Sequence, residues 1–266
     1  MRRLRYGRIS YVNVGPVETA FDAGAVTRDV EVVPAVPSQL NHAMSAGEID
    51  AGAISAAHYL ENREHFARIA DLCIASDGPV RSVLFVSPKP PALVGSSTIA
   101  LTSHSASGRA LLATLLRSFP DGRPRFEVVD DALAAARAGV PTLLIGDDAL
   151  VARSEMPQAQ VHDLGEIWRA WTGLPFVFGV WAVRREALAA YPSEVAALTE
   201  ALVAARDWGE RNRSAVIDAA IAVKPYHRAL YADYFTRLLY RLDERAEQGL
   251  ERFSTLFRPE VFGVAS

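Results

Sequence analysis

Short β-rich apolar runs alternate with helix-length segments over most of this chain, and that alternation confines it to an α/β fold. Residues 6–10 read as a first strand, followed after Pro16 by a helix to about Ala23. Residues 29–33 read as a second strand closed by Pro34 and Pro37, and residues 38–46 as a helix stopped by Gly47. A third strand over 49–54 leads into a helix starting at 56–61. Strands joined through helices make βαβ units and a mainly parallel sheet. The pattern restarts with strands over 98–102, 126–129 and 142–146 enclosing helices over 107–118 and 131–138. Between the two series, the apolar run 80–86 meets Ser87-Pro88-Lys89-Pro90-Pro91. Prolines lack the donors a ladder needs, so this stretch reads as a connection between lobes. A strand over 176–183 leads back. The expectation is a discontinuous first lobe, 1–87 with 177–266, and a second lobe, 88–176, inserted into it. The tail is expected to be helical. Ser193 is placed to cap 194–211, where Val195, Leu198, Leu202 and Ala205 share a face. Residues 226–242 carry Leu230, Tyr234, Leu238 and Leu242 at intervals of four, a core-packing pattern.

Composition narrows the function. The 266 residues are half hydrophobic and 22% charged, enough for one large domain or two small ones. The net charge is −3, and the 26 arginines are scattered among carboxylates, with Lys89 and Lys224 the only lysines. A nucleic-acid partner would need a basic face, and no basic run is present. Cys73 is the sole cysteine, which excludes an intramolecular disulfide and a thiolate-rich metal site. Within ADLCIA it reads as a buried structural thiol. There is no P-loop, no dinucleotide fingerprint and no paired-histidine spacing. The N-terminal residues lack the apolar stretch of a secretory signal. No run approaches the roughly 20 apolar residues needed to span a bilayer. A cytoplasmic protein with no membrane partner and no obligatory protein partner is expected.

Three places set small polar residues at strand ends, where open α/β sheets bind ligands. In ISYVNVGP, Asn13 follows a strand and precedes a helix, and reads equally as a ligand contact or a turn residue. In SDGPVRSVLFVS, Asp77 is a turn acceptor or a base. Arg81 is a surface residue or a bidentate carboxylate clamp, and Ser82 opens a strand. In ALTSHSASG, Thr102, Ser103, Ser105 and Ser107 crowd a strand-to-helix turn. Hydroxyls and unpaired helix N–H groups together suit a carboxylate or phosphate. Capping accounts for one or two of the four.

Taken in order, ISYVNVGP, GEIDAGAISAAHYL, SDGPVRSVLFVS, LLIGDDAL and DLGEIWRAWTGLPFVFGVWAVR resemble the chorismate dehydratase family of the futalosine-dependent menaquinone pathway. The resemblance spans residues 7 to 185, with WTGLPFVF as its most specific element. It implies a two-lobed fold similar to type 2 periplasmic binding proteins, with a ligand cleft between the lobes. It also implies dehydration of chorismate, a small dicarboxylate, to 3-[(1-carboxyvinyl)oxy]benzoate with no metal and no redox cofactor. By matched position it makes Asn13 and Ser82 the leading catalytic candidates. Ser55, Arg81, the hydroxyls Thr102, Ser103, Ser105 and Ser107, and then Asp147, Thr172 and Gly173 become substrate-binding candidates. Ser107-Gly108 departs from the Thr-Ser pair usual there. No histidine or glutamate in the matched polar motifs is an obvious base, so the substrate's enolpyruvyl carboxylate is the expected proton acceptor, with Asp77 or Asp147 as the alternative. The competing readings are a solute-binding protein for an organic anion, the sibling 1,4-dihydroxy-6-naphthoate synthase, and a transcription-factor effector module. The last lacks room for a DNA-binding helix-turn-helix before the first strand.

Overall fold

The structure is a computed structural model and describes residues 3–102, 105–119, 124–157 and 160–258. The chain opens with β1 (Leu4–Ile9), α1 (Gly15–Asp22), β2 (Val30–Ala35), α2 (Pro37–Ser45), β3 (Ala51–Ser55), α3 (Ala56–Glu61) and β4 (Phe66–Ser76). It continues through β5 (Val83–Val86), β6 (Thr98–Leu101), α4 (Ala106–Arg117), β7 (Arg125–Val128) and α5 (Ala132–Arg137). Next come β8 (Thr142–Ile145), α6 (Gly146–Glu155), β9 (Val161–Asp163) and α7 (Leu164–Thr172). Then β10 (Phe176–Arg184) leads into α8 (Arg185–Ala190), α9 (Pro192–Arg211), α10 (Arg213–Val223), α11 (Arg228–Arg237), β11 (Leu238–Arg241) and α12 (Glu244–Leu256).

The strands form two sheets, ordered β11-β4-β10-β3-β1-β2 and β7-β6-β8-β5-β9. Each sheet is mixed rather than mainly parallel. β1 runs parallel to β2 and β3, and β6 to β7 and β8. The strands entering from the other lobe run the opposite way: β10 is antiparallel to β3 and β4, and β5 to β8 and β9. Pro34 is tolerated inside β2 because that strand lies at a sheet edge, where a missing N–H costs no ladder bond. β3 is buried at every position and β10 at nearly every one, as befits strands covered on both faces. One apolar cluster runs through both lobes, from Leu4 and Tyr6 to Phe85, Ile99 and Leu111.

Further expectations need correction. Ser193 does not cap α9, which begins one residue earlier at Pro192, after Tyr191. The lobe boundary does not fall at the proline-rich stretch after Ser87. β5 already pairs with β8 and β9, so the chain crosses between Ser76 and Val83, and 83–87 belongs to the second lobe. Residues 226–242 are not one helix: α11 stops at Arg237, and Leu238–Arg241 pairs with β4, because an open sheet edge outcompetes another helical turn. The long strand β4, with its run of five buried residues at the C-terminal end, shows itself in the sequence only through the apolar segment ADLCIA.

Candidate active site

A cleft lies where the parallel strands of both sheets end, the usual ligand position in open α/β sheets. The first lobe contributes Ile9, Tyr11 and Asn13 after β1, and Ile54 and Ser55 at the end of β3. The second contributes Ser105 before α4, and Ile145 and Gly146 after β8. Val80, Ser82 and Val83 enter along the crossing, and Phe178 and Gly179 of β10 border it. The space is about 570 Å³ with its open mouth included.

Three serine hydroxyls in this cleft share one arrangement. Ser55 caps α3, and its Oγ accepts from Asn41 Nδ2 at 2.8 Å and from the His58 N–H at 3.4 Å. Its own N–H donates to Asn41 Oδ1 at 3.0 Å, so one buried amide grips it twice. Ser105 caps α4, accepting from the Gly108 N–H at 3.0 Å. Ser82, buried at the start of β5, accepts from the Tyr234 hydroxyl at 3.0 Å. A serine hydroxyl has a single hydrogen to give, and all of these contacts use its oxygen. Each hydrogen is left for a ligand.

Asn13 sits in a single 3-10 turn, Val12–Val14, whose Asn13 carbonyl accepts from the Tyr240 hydroxyl at 2.7 Å. Asn13 Oδ1 is buried with no hydrogen-bond partner among the described residues. Tyr11 is pushed up to about 12 by burial, reinforced by Asp147 and Asp148, so its phenol stays neutral. Among the described residues lining the cleft there is no carboxylate, imidazole, ammonium or guanidinium.

The other sequence candidates divide. Arg81 adopts a left-handed backbone, φ 68°, rare for a residue with a side chain. Its N–H and that of Val80 donate to the Asp163 carboxylate at 2.8 and 3.0 Å. Its guanidinium pairs with Asp233 at 3.1 Å instead of lining the cleft. Asp163 also caps α7, and burial raises its carboxyl while four backbone N–H groups oppose the rise. Thr102 is buried just past β6, outside the cleft lining. Ser103 lies outside the described residues. Ser107 Oγ accepts from the Ala57 N–H at 3.1 Å, tying the first turn of α4 to that of α3 across the lobes. Asp147 follows the lining residue Gly146. Its Oδ2 meets Lys224 Nζ at 3.2 Å, and its buried Oδ1 has no hydrogen-bond partner among the described residues. Thr172 donates to the Trp168 carbonyl and accepts from the Leu174 N–H, and Gly173, φ 75°, ends α7. Neither lines the cleft. The run WTGLPFVF is the return crossing between lobes, held where Trp168 Nε1 donates to the Pro175 carbonyl. Asp77 pairs with Arg169 and Arg245 and does not line the cleft.

Asn41, Tyr234 and Tyr240, which fix the polar groups of the site, carried no signal in the sequence. Asn41 reads as one more residue of a helix, and the two tyrosines as core packing.

Comparison with known proteins covers nearly the whole chain. A family described as menaquinone biosynthesis matches residues 4–258. A chorismate dehydratase of Thermus thermophilus is 33% identical over 96% of this chain and 95% of that protein. A protein of solved structure from Archaeoglobus fulgidus is similar with a TM-score of 0.77 at 18% identity, covering 95% of this chain and 96% of that one. A Candida albicans protein described as having the generic periplasmic binding protein fold gives 0.70 at 11% identity, covering 100% of this chain and 92% of that one. The structural matches establish the fold, two α/β lobes about a ligand cleft with a largely helical C-terminal tail. With the sequence matches they lead to one statement of kinship: this chain belongs to the menaquinone biosynthesis family.

Proposed function

We propose that the chain is a chorismate dehydratase, a lyase that removes water from chorismate to give 3-[(1-carboxyvinyl)oxy]benzoate. The observation that carries this reading is the donor set of the cleft. Three serine hydroxyls and the Asn13 amide, drawn from both lobes, face a cavity whose described lining has no charged side chain. Such a site suits an anion that brings its own charge. Chorismate carries two carboxylates, and donors from each lobe can hold it in a reactive pose. Loss of the ring C3 proton leaves a pair of electrons conjugated through a double bond into the ring carboxylate. Neutral donors at that carboxylate stabilise the dienolate as an oxyanion hole would. The C4 hydroxyl then departs and the ring becomes aromatic. In this reading the enolpyruvyl carboxylate of the substrate takes the C3 proton, while Asn13 and Ser82 orient the groups. The net change is loss of water with no oxidation or group transfer, so it calls for no cofactor. A biosynthetic role goes with a cytoplasmic location.

The test is incubation of the purified protein with chorismate, followed by mass spectrometry. Loss of one water, in the presence of EDTA as in its absence, is the expected result. Tight binding of unchanged chorismate would instead indicate a solute-binding protein. Turnover of a cyclised futalosine-derived substrate alone would indicate the sibling synthase.

A further inference from the structure

We propose that Tyr234 is a positioning residue for this reaction, donating to the oxygen of Ser82 so that the Ser82 hydrogen is turned into the cleft. The inference rests on the dehydratase reading and adds a residue to it. Ser82 is fixed along its backbone by the second sheet: its carbonyl accepts from the Gly146 N–H at 2.8 Å, beside the β5–β8 ladder. What the sheet leaves free is rotation of the hydroxyl. Tyr234, 2% exposed, reaches it from α11, 152 residues along the chain, and donates at 3.0 Å.

A second tie holds α11 against the same segment. Asp233, next to Tyr234, pairs with Arg81, next to Ser82, at 3.1 Å. The Tyr234 ring is buried and lies beside the Phe235 ring of its own helix, centroids 5.5 Å apart. The phenol therefore has a fixed position from which to donate. Burial raises its pKa far above the ordinary tyrosine value, so it stays protonated over the working pH range. A hydroxyl oxygen that already accepts a hydrogen bond directs its own hydrogen elsewhere. For Ser82, that direction is the cleft it lines. The helical tail thus completes the site as well as covering the first lobe.

Steady-state dehydration of chorismate by wild type, Tyr234→Phe, Ser82→Ala and the double variant tests this. Tyr234→Phe is expected to lower kcat by roughly three- to tenfold, the worth of one ordinary hydrogen bond, with KM nearly unchanged. Adding Tyr234→Phe to Ser82→Ala is expected to cost nothing further, because Tyr234 acts only through Ser82. The double variant replaces both partners by apolar groups, which buried sites tolerate better than one orphaned partner. Comparison with Ser82→Ala therefore decides the matter even if the single Phe variant does not fold. Penalties that multiply in the double variant would overturn the inference and leave Tyr234 a packing residue. So would a fully active Tyr234→Phe beside a crippled Ser82→Ala. A wild type that leaves chorismate intact would instead remove the dehydratase reading, and this inference with it.

Discussion

Asn13 offers the cleft an amide whose oxygen no described group satisfies, and Ser82 offers a hydroxyl whose oxygen is already engaged. Neither is a base near neutral pH, since an amide is not basic and a serine hydroxyl needs an activating partner. Removing either should slow dehydration without moving the limiting pH dependence. Loss of one preorganised donor costs about 10²–10³ in turnover, so Asn13→Ala and Ser82→Ala are each expected to lower kcat/KM at least about tenfold. A chorismate ester that lacks only the enolpyruvyl carboxylate charge should bind and not react. Dehydration of that ester would send the search for a base to Asp147, which follows the lining residue Gly146 and whose buried Oδ1 has no hydrogen-bond partner among the described residues. At this scale the site was half legible. Asn13, Ser82 and Ser105 stand at strand ends, where a local rule finds them, whereas Ser55 comes only from the family resemblance. Their partners Asn41, Tyr234 and Tyr240 meet them only through the fold, and no spacing in the sequence announces a contact across 152 or 227 residues.

Helices and strands were read best where local pattern and tertiary environment agree. The helix at 56–61 begins where Ser55 caps it, and α4 begins after Ser105 for the same reason. The reading failed where a neighbour overrides the local pattern, as at Leu238, which continues the helical spacing of Leu230 and Tyr234 yet joins β4 as an edge strand. Close approach between elements is equally invisible in sequence. A Cβ on Gly209 of α9 would lie 1.9 Å from the Pro16 carbonyl oxygen in α1. Gly209→Ala must push α9 off α1, and overpacking of this kind costs about 1–3 kcal/mol. The melting temperature should fall by roughly 3–10 °C, and an unchanged melt would mean that α9 shifts freely. The first turn of α3 gives a pH prediction. Burial lowers the His58 imidazole below its usual value, and its ring meets Ser45 Oγ at 2.9 Å. The unfolded chain then takes up the proton first, so the stability is complete above about pH 6.5 and declines as pH falls through the lowered value. Melting temperature should drop between about pH 7 and pH 5, and drop less in His58→Gln. Parallel slopes in the two proteins would assign the acid sensitivity to other groups.

Across the whole molecule, the two lobes are latched as well as connected. Ser107 binds the Ala57 N–H, and Asp147 pairs with Lys224, a half-exposed lysine at the end of α10. With the lysine half in water, though Asp147 is mostly covered, the pair is worth about 1 kcal/mol. Lys224→Ala should therefore raise KM for chorismate by no more than about fivefold and leave kcat close to wild type. Small-angle scattering of the ligand-free variant should show a larger radius of gyration. A lower kcat with unaltered scattering would place Lys224 in the chemistry instead of the hinge equilibrium.

The position of β10 between β3 and β4 has a consequence for how the chain assembles itself. As the polypeptide leaves the ribosome, β3 and β4 emerge early, yet neither can pair with the other, because the strand that separates them is made about a hundred residues later. The second sheet has no such wait: β5 to β9 follow one another without interruption and need nothing from outside to close. The inserted lobe should therefore mature first and present β10 to a half-built neighbour, an order opposite to that of synthesis. Pulse-labelling hydrogen exchange during refolding should find the amides of β6 and β8 protected before those of β3 and β10. Simultaneous protection would mean that the lobes fold as one cooperative unit despite their separate sheets.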